Sequence, residues 1–407
     1  MAAWLFRANT PAMFWRLLGD SAPASDDWAA AVRSTVTILP KGARDADLET
    51  VLQRTLGEGQ FGEKHWDLSF ARKAYYRLRP ALPRSFTGAL RRLQRDSAAS
   101  HSPLGWPVES RFAKFMWASI AAALTRKNHE TAQFIHLWPE ARRFAFVLTH
   151  DVETASGLKH VQALSDLEAR YGFRSSFNFV PERYPIDREL ISSLRRRGFE
   201  IGLHGLKHDG RLFSSRAVFI ERAVRINDYL RVFDATGFRA PFTHRQPEWM
   251  QALEIEYDLS FFDTDPYEPV PGGTMSIWPF SIGHFMELPY TLVQDYTLTA
   301  VLGETTPRVW LEKVDFIEKY WGMALVNSHP DYLRDPTGWR LYEQFLEAMS
   351  RRAGRYWHAL PCEVARWWRD RRDTVAPEAL PGAVVGTISV DRKKGDVHIA
   401  TSQNQRV

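Results

Sequence analysis

The sequence predicts an α/β fold, a closed or nearly closed barrel of mostly parallel strands preceded by a helical N-terminal extension. Between residues 141 and 373, short apolar or β-rich runs alternate with amphipathic helical runs. Six such units in succession are typical of repeated βα units. Before residue 140, helical patches such as 47–57, 69–78 and 85–96 are separated by stretches rich in Pro, Gly and Ser, and strand signals are few.

The six predicted units follow one another without a long break. The apolar or β-rich runs are 144–152, 173–180, 199–205, 237–242, 286–292 and 323–329. The helical runs that follow them are 158–172, 187–198, 214–233, 247–257, 309–322 and 338–352. Pro247 suits the first position of its helix, where the missing N–H costs nothing.

Three segments are predicted from these changes in pattern: the extension over 1–140, the barrel over 141–373 and a tail over 374–407. In the tail, 386–390 and 396–400 flank a short polar turn and are suited to pair as a small hairpin.

The composition of the 407 residues, with 44% hydrophobic and 25% charged, is that of a globular protein. The formal net charge is +5, and arginine clusters at 91–95, 195–197 and 366–372 contribute to it. We interpret them as solvated helix faces, because motifs of nucleic-acid-binding proteins are absent from the sequence. No nucleic-acid partner is therefore expected.

Cysteine usage and the N-terminal stretch bear on location. The single cysteine, Cys362, excludes an intramolecular disulfide and fits a reducing compartment. Arg7 and Arg16 interrupt the apolar residues of 4–18, so no signal peptide is predicted. The sequence contains no run of 18 apolar residues, so no membrane-spanning helix is predicted. A cytoplasmic location is expected, with peripheral membrane contact through 4–18 left open.

Candidate functional residues follow four of the predicted strands, because parallel strands present their carboxyl ends at one mouth. Asp151 and Glu153 are two positions apart and point to the same side of an extended chain. Their carboxylates repel each other unless a cation or a shared proton intervenes. Alternatively, one of the two acids caps the next helix and both are simply exposed to solvent.

The next two strand ends supply possible partners for these acids. His204 and His208 are four residues apart, and with Gly205 allowing a tight turn both imidazoles can reach one metal ion. Arg239 can orient an ionised aspartate through its permanent charge. Taken singly, the two histidines and the arginine are also compatible with structural roles.

His329 follows the last of the four strands and has the chemistry of a general acid. The remaining histidines lack a partner at ligand spacing. His150 points away from Asp151 and is expected to be structural, and we assign no role to His160, His244 or His284.

These residues, in this order over 144–332, resemble the motifs of the polysaccharide deacetylases of the NodB-homology, carbohydrate esterase 4 type. The resemblance implies a distorted (β/α) barrel that hydrolyses an N-acetyl, or sometimes O-acetyl, group on a sugar with a divalent metal. Zn²⁺ suits the donor set best, and Co²⁺, Ni²⁺ or Fe²⁺ are alternatives. An N-acetylated carbohydrate is then the expected substrate.

The resemblance also implies residue roles. His204, His208 and Glu153 would bind the metal, Asp151 would be the base, Arg239 would tether it and His329 would be the general acid. The family's usual motif has two adjacent aspartates, whereas here Val152 separates Asp151 from Glu153, so either acid is open as the base.

The resemblance further implies an aspartate and a tryptophan that line the acetyl pocket, for which the candidates are Asp263, Asp265 and Trp278. Two other functions remain open: a C–N hydrolase acting on a small amide that is not a glycan, and a carbohydrate-binding relative without catalysis.

Overall fold

The computed structural model describes residues 2–67, 98–374, 376–391 and 396–401. The predicted helical patches at 69–78 and 85–96, with the arginine cluster 91–95, lie outside the described residues.

The described strands and α-helices follow the chain in this order. The strands are β1 Leu17–Leu18, β2 Thr131–Ile135, β3 Phe144–Val152, β4 Ser176–Phe179, β5 Glu200–His204, β6 Gly237–Arg239, β7 Tyr257–Asp258, β8 Phe280–Ile282, β9 Phe285–Glu287, β10 Met323–Ser328, β11 Tyr356–His358, β12 Val385–Asp391 and β13 Asp396–Thr401. The helices are α1 Pro11–Trp15, α2 Ser25–Thr35, α3 Leu48–Thr55, α4 Arg111–Arg126, α5 Ala155–Leu158, α6 Val161–Arg170, α7 Arg188–Arg196, α8 Arg216–Val232, α9 Pro247–Met250, α10 Arg308–Lys319, α11 Pro330–Leu333, α12 Pro336–Ser350 and α13 Pro361–Asp373.

The central sheet has the strand order β10-β3-β4-β5-β6-β7-β9-β8, with β11 beside the first half of β3. Its pairings are parallel except that of β8 with β9. All nine residues of β3 are buried, as expected for a strand that is covered on both faces.

Two further parallel bridges curl this sheet into a ring. After β9 the chain pairs Tyr290 with Phe262, and then Leu292 with Val326 of β10. The segment that follows β9 therefore connects the β7 side of the sheet to β10. The predicted fold class, an α/β barrel of mostly parallel strands, is confirmed.

Local sequence signals explain where several helices begin and end. Pro247 opens α9, as predicted, and the Asp187 side chain accepts a hydrogen bond from the N–H of Glu189 at the start of α7. Gly172 and Gly198 follow α6 and α7 with φ of +79° and +84°, a conformation that favours glycine.

A second sheet joins the two ends of the chain. Its order is β1-β2-β12-β13, and all its pairings are antiparallel. The extension thus contributes two strands besides its helices, which the sequence did not predict. The boundaries at 140 and 374 stay a prediction.

The apolar residues of the N-terminal stretch pack into the protein. Leu5, Phe6 and Trp15 are buried, whereas Trp4 is 54% exposed. Leu5 and Phe6 share one continuous cluster of buried side chains with barrel residues such as Val147. Within the described residues, no helix has the length and apolar character needed to cross a bilayer.

Candidate functional site

A small cavity of about 60 Å³ opens at the carboxyl ends of β3, β5, β6 and β10. Four of the predicted site residues line it: Asp151, Glu153, His204 and His329. Arg239 and His208 contact these residues from just outside the cavity. The structure therefore brings together the six residues predicted from four separate strand ends.

Asp151 is buried and held through one of its two carboxylate oxygens. Oδ1 accepts hydrogen bonds from Nη1 of Arg239 at 3.1 Å and from Nδ2 of Asn178 at 2.9 Å. Oδ2 has no hydrogen-bond partner among the described residues. Burial alone would raise the pKa of Asp151, but the charge of Arg239 and the nearby His204 and His329 hold it below its usual range.

The close approach of Asn178 depends on a glycine in the neighbouring strand. Asn178 lies on β4 opposite Gly202 of β5. A Cβ at Gly202 would lie 2.2 Å from Oδ1 of Asn178. A side chain at this position would therefore push Asn178 away from Asp151.

Arg239 is itself fixed by several acceptors. Its Nε donates to the carbonyl of Leu259 at 2.8 Å, and Nη1 also donates to Oδ1 of Asn327 at 2.7 Å. The side chain is fully buried. A guanidinium held in this way fixes the orientation of the Asp151 carboxylate.

Glu153, His204 and His208 form a compact group of possible metal ligands. One ligand atom from each lies within 4.8 Å of the others. Oε1 of Glu153 and Nε2 of His208 are 3.1 Å apart. The turn between the histidines has Gly205 at φ +65°, and a Cβ there would lie 2.5 Å from Cγ of Pro241. The predicted tight turn thus requires glycine.

The state of these side chains fits a divalent metal ion. In the described part of the chain, Nε2 of His204 is buried without a hydrogen-bond partner, and Nε2 of His208 is buried beside the Glu153 carboxylate at 3.1 Å. Nδ1 of His204 is 3.2 Å from the carbonyl of Arg239, which fixes the tautomer that leaves Nε2 free to bind a metal. Burial lowers the pKa of His204 to about 4, so the imidazole is neutral, as a ligand must be.

His329 is paired with an aspartate that the sequence did not single out. Nδ1 of His329 lies 2.7 Å from Oδ1 of Asp295, and the backbone N–H of His329 donates to Oδ2 of the same carboxylate. Burial would lower the pKa of His329, but Asp295 dominates and raises it to about 10. Nε2 of His329 is 3.8 Å from Oδ2 of Asp151.

The three predicted pocket residues lie elsewhere. Asp263 forms a buried ion pair with Nζ of Lys313 at 2.5 Å. Asp265 is buried and accepts a hydrogen bond from the N–H of Tyr267. The indole N–H of Trp278 donates to the carbonyl of Trp321, and its ring stacks on Trp117. None of the three lines the cavity, and all three are buried with partners in the protein interior.

The residues that do line the cavity include several that the sequence did not single out. Tyr296, next to Asp295, lines the cavity, as do Thr243, Tyr267, Glu268, Gln294 and Tyr332. The sequence offered a weak signal for Gln294 and Tyr296. The stretch "QDY" at 294–296 follows the predicted strand 286–292, just as the other motifs follow their predicted strands.

His150 has the structural role expected of it. Its Nε2 is 2.7 Å from Oε1 of Glu168 and its Nδ1 is 2.8 Å from Oγ of Ser328. Glu168 also accepts hydrogen bonds from Tyr342 and Ser175. This buried network ties β3 to α6, β10 and α12. His160, His244 and His284 are not among the lining residues of the cavity.

Comparison with known proteins finds likeness in structure. No protein-family model matches the sequence, and no curated protein matches it either. Among solved structures, a candidate polysaccharide deacetylase from Mycobacterium smegmatis is 19% identical, with a TM-score of 0.48 over 59% of this chain and 95% of that one.

Two further solved structures are similar to this chain. The PuuE allantoinase is 15% identical with a TM-score of 0.45, over 58% of this chain and 94% of its own. A polysaccharide deacetylase by provisional assignment, from Pseudomonas aeruginosa PAO1, is 16% identical with a TM-score of 0.45, over 58% and 95%. Two of the three thus carry the family description that the sequence motifs resemble.

Proposed function

We propose that this protein is a metal-dependent hydrolase that removes the N-acetyl group from an acetylated sugar or polysaccharide precursor. The reaction breaks a carbon–nitrogen bond outside a peptide. One observation carries the proposal: the unpaired Oδ2 of Asp151 faces His204 and His329 at 3.8 Å each, beside the group of possible metal ligands. A base, an acid and a metal site thus share one cavity.

Glu153, His204 and His208 would hold the metal, with Zn²⁺ as the best match to two nitrogens and one carboxylate oxygen. A divalent ion bound there polarises a carbonyl group and makes a water molecule more acidic. Only three protein ligands are proposed, so coordination positions remain for water and substrate.

Asp151 would act as the general base. Oδ1 is occupied by Arg239 and Asn178, so the proton of an attacking water molecule can go only to Oδ2. The carboxylate stays ionised at neutral pH because the surrounding charges lower its pKa. Arg239 acts by orienting this carboxylate, because Nη1 contacts Oδ1 at 3.1 Å.

His329 would protonate the departing sugar nitrogen. Nδ1 is engaged by Asp295, so Nε2 carries the proton that faces the cavity. The raised pKa keeps the imidazole protonated at neutral pH, which a proton donor requires.

A sugar substrate is supported by the motif resemblance and by the side chains around the cavity. Tyr296 and Tyr332 both line it, with ring centroids 5.0 Å apart. Aromatic faces of this kind pack against the apolar faces of sugar rings, and the polar side chains opposite can bind hydroxyl groups.

The proposal is tested by acetate release from a panel of N-acetylated sugars and small amides. The protein is stripped with a chelator and reconstituted with Zn²⁺. Acetate from a sugar, dependent on Zn²⁺, supports the proposal. Turnover of only a small amide supports the amide hydrolase instead. Sugar binding without turnover by the loaded protein supports the binding module.

A further inference from the structure

One wall of the cavity is formed by the loop 263–273 and rests on the N-terminal extension. This loop carries Tyr267 and Glu268, which line the cavity. Oγ1 of Thr264 donates to the carbonyl of Gly105 at 2.9 Å, and the ring of Trp106 meets that of Tyr267 edge-on at 5.3 Å. The extension thus contacts the loop that forms this wall of the cavity.

A buried ion pair makes the deepest of these contacts. Glu58 of the extension accepts hydrogen bonds from Nε and Nη2 of Arg245 at 2.8 and 2.7 Å, and both side chains are fully buried. Oε1 of Glu58 also accepts from the N–H of Gly273, at the end of the loop, at 2.8 Å. The guanidinium lies between the rings of Trp66 and Phe262, at 4.6 and 4.4 Å from their centroids.

A chain of hydrogen bonds leads from this ion pair to the cavity. Nη1 of Arg245 donates to the carbonyl of Thr243 at 2.8 Å. Oγ1 of Thr243 lies 2.6 Å from Oε2 of Glu268 and 2.6 Å from the carbonyl oxygen of Phe242, so these two acceptors share its single proton. On its other oxygen, Glu268 accepts from Tyr290 at 2.7 Å and from Gln294 at 2.5 Å. Oε2 therefore has one partner where Oε1 has two, so this carboxylate, which lines the cavity, can accept a further hydrogen bond.

We propose that Glu268 is a specificity residue that accepts a hydrogen bond from a substrate hydroxyl, and that Glu58 of the extension is a positioning residue for it, acting through Arg245 and Thr243. The inference rests on the proposed function, since it takes the sugar to bind in this cavity. It gives the extension a role: it holds one wall of the binding site at a fixed distance from the catalytic residues.

The link between Thr243 and Glu268 is tested with Thr243→Val, which removes the hydroxyl and leaves the buried ion pair intact. With tetra-N-acetylchitotetraose as the substrate, KM rises about tenfold while kcat changes little, because a lost hydrogen bond to a charged group has that order of effect. Thr243→Ser keeps the hydroxyl and restores KM. Glu268→Gln raises KM similarly, and adding Thr243→Val to it has no further effect, as for residues that act in series.

The role of Glu58 is tested with Glu58→Gln and with the exposed Glu63→Gln as the matched control. Hydrogen exchange of the amides of 263–273 quickens about tenfold in Glu58→Gln and stays unchanged in the control, because the loop has lost its anchor. This readout needs no turnover. Hydrogen exchange therefore decides the positioning role of Glu58 even if no sugar yields acetate. A lack of acetate release would overturn the proposed function and the role of Glu268.

Unchanged exchange in Glu58→Gln would overturn the positioning role. A fall in kcat with constant KM in Thr243→Val, or failure of Thr243→Ser to restore KM, would overturn the role of Glu268. If Glu58→Gln does not fold, Glu58→Asp replaces it, because it keeps the charge but shortens the side chain: faster exchange of the same amides supports the positioning role, and unchanged exchange overturns it.

Discussion

The carboxylate of Asp295 receives both the side chain and the backbone N–H of His329, at 2.7 and 2.8 Å. Asp295 lies on the segment after β9, whereas His329 follows β10. The two come together because Leu292 pairs with Val326 and aligns the segments. The imidazole is therefore held with Nε2 facing the cavity and is kept positively charged by its partner.

Replacing Asp295 by Asn changes the pH dependence of the reaction. The native pKa of His329 is raised to about 10, so the acid is protonated at all pH values below that. Without the carboxylate, the charge and the hydrogen bond with which Asp295 opposes the effect of burial are lost, so the pKa of His329 falls. We expect activity near neutral pH to drop on the order of 100-fold and the remaining activity to shift to acid pH.

A pH–rate profile of Asp295→Asn against the wild type measures this shift. Asp315→Asn, which removes an exposed carboxylate paired with Arg352, is the control and keeps the wild-type profile. An alkaline limb in the same place for Asp295→Asn and wild type would show that His329 is not the acid.

Replacing Asp151 by Asn removes the proposed general base. Activity falls by about 10² to 10⁴-fold, the usual contribution of general base catalysis. The zinc content stays at the wild-type level, because Asp151 is not one of the proposed ligands. The control is Asp228→Asn on the exposed face of α8. A variant that loses zinc along with activity would make Asp151 a ligand instead.

Replacing Glu153 by Ala decides the division of labour between the two acids. We expect the affinity for zinc to fall by more than the roughly 10- to 100-fold that the loss of an outer partner costs. Zinc titration against a competing chelator measures it, with the exposed Glu189→Ala as the control. Wild-type affinity in Glu153→Ala would exclude this carboxylate from the metal site.

Replacing His150 by Phe tests stability rather than chemistry. The change leaves Glu168 and Ser328 short of a buried partner, so the free energy of unfolding falls by about 1–3 kcal/mol. Zinc content stays unchanged. Denaturant unfolding measures the change, with the exposed His101→Phe as the control. Loss of zinc at unchanged stability would contradict the structural role.

The sequence predicted the parts of the site that depend on regular strands. Asp151, His204 and Arg239 lie at the carboxyl ends of β3, β5 and β6, and His329 follows β10. Parallel strands bring such positions to one mouth whatever the details of packing. The fold class followed from the same periodicity. The local pattern of the sequence was enough to predict these positions, because none of them depends on the path of a long loop.

The sequence could not predict the walls of the cavity. Glu268 and Asp295 lie in irregular segments whose path depends on contacts with Arg245, Tyr290 and β10, which are remote in sequence. Asp263 was assigned through a loose resemblance to the family's pocket motif, and its buried partner Lys313 lies 50 residues later. The strands of the extension were missed because β2 is completed by β12 from the tail.

The central claim is that the Asp151 carboxylate acts as base beside a zinc site in a sugar deacetylase. The most direct measurement compares the zinc-reconstituted wild type with Asp151→Asn at equal zinc content. Both proteins are given tetra-N-acetylchitotetraose, and the acetate released and the free amines formed are measured. We predict one free amine for each acetate from the wild type and almost none from the variant. Equal acetate release by both proteins would contradict the claim.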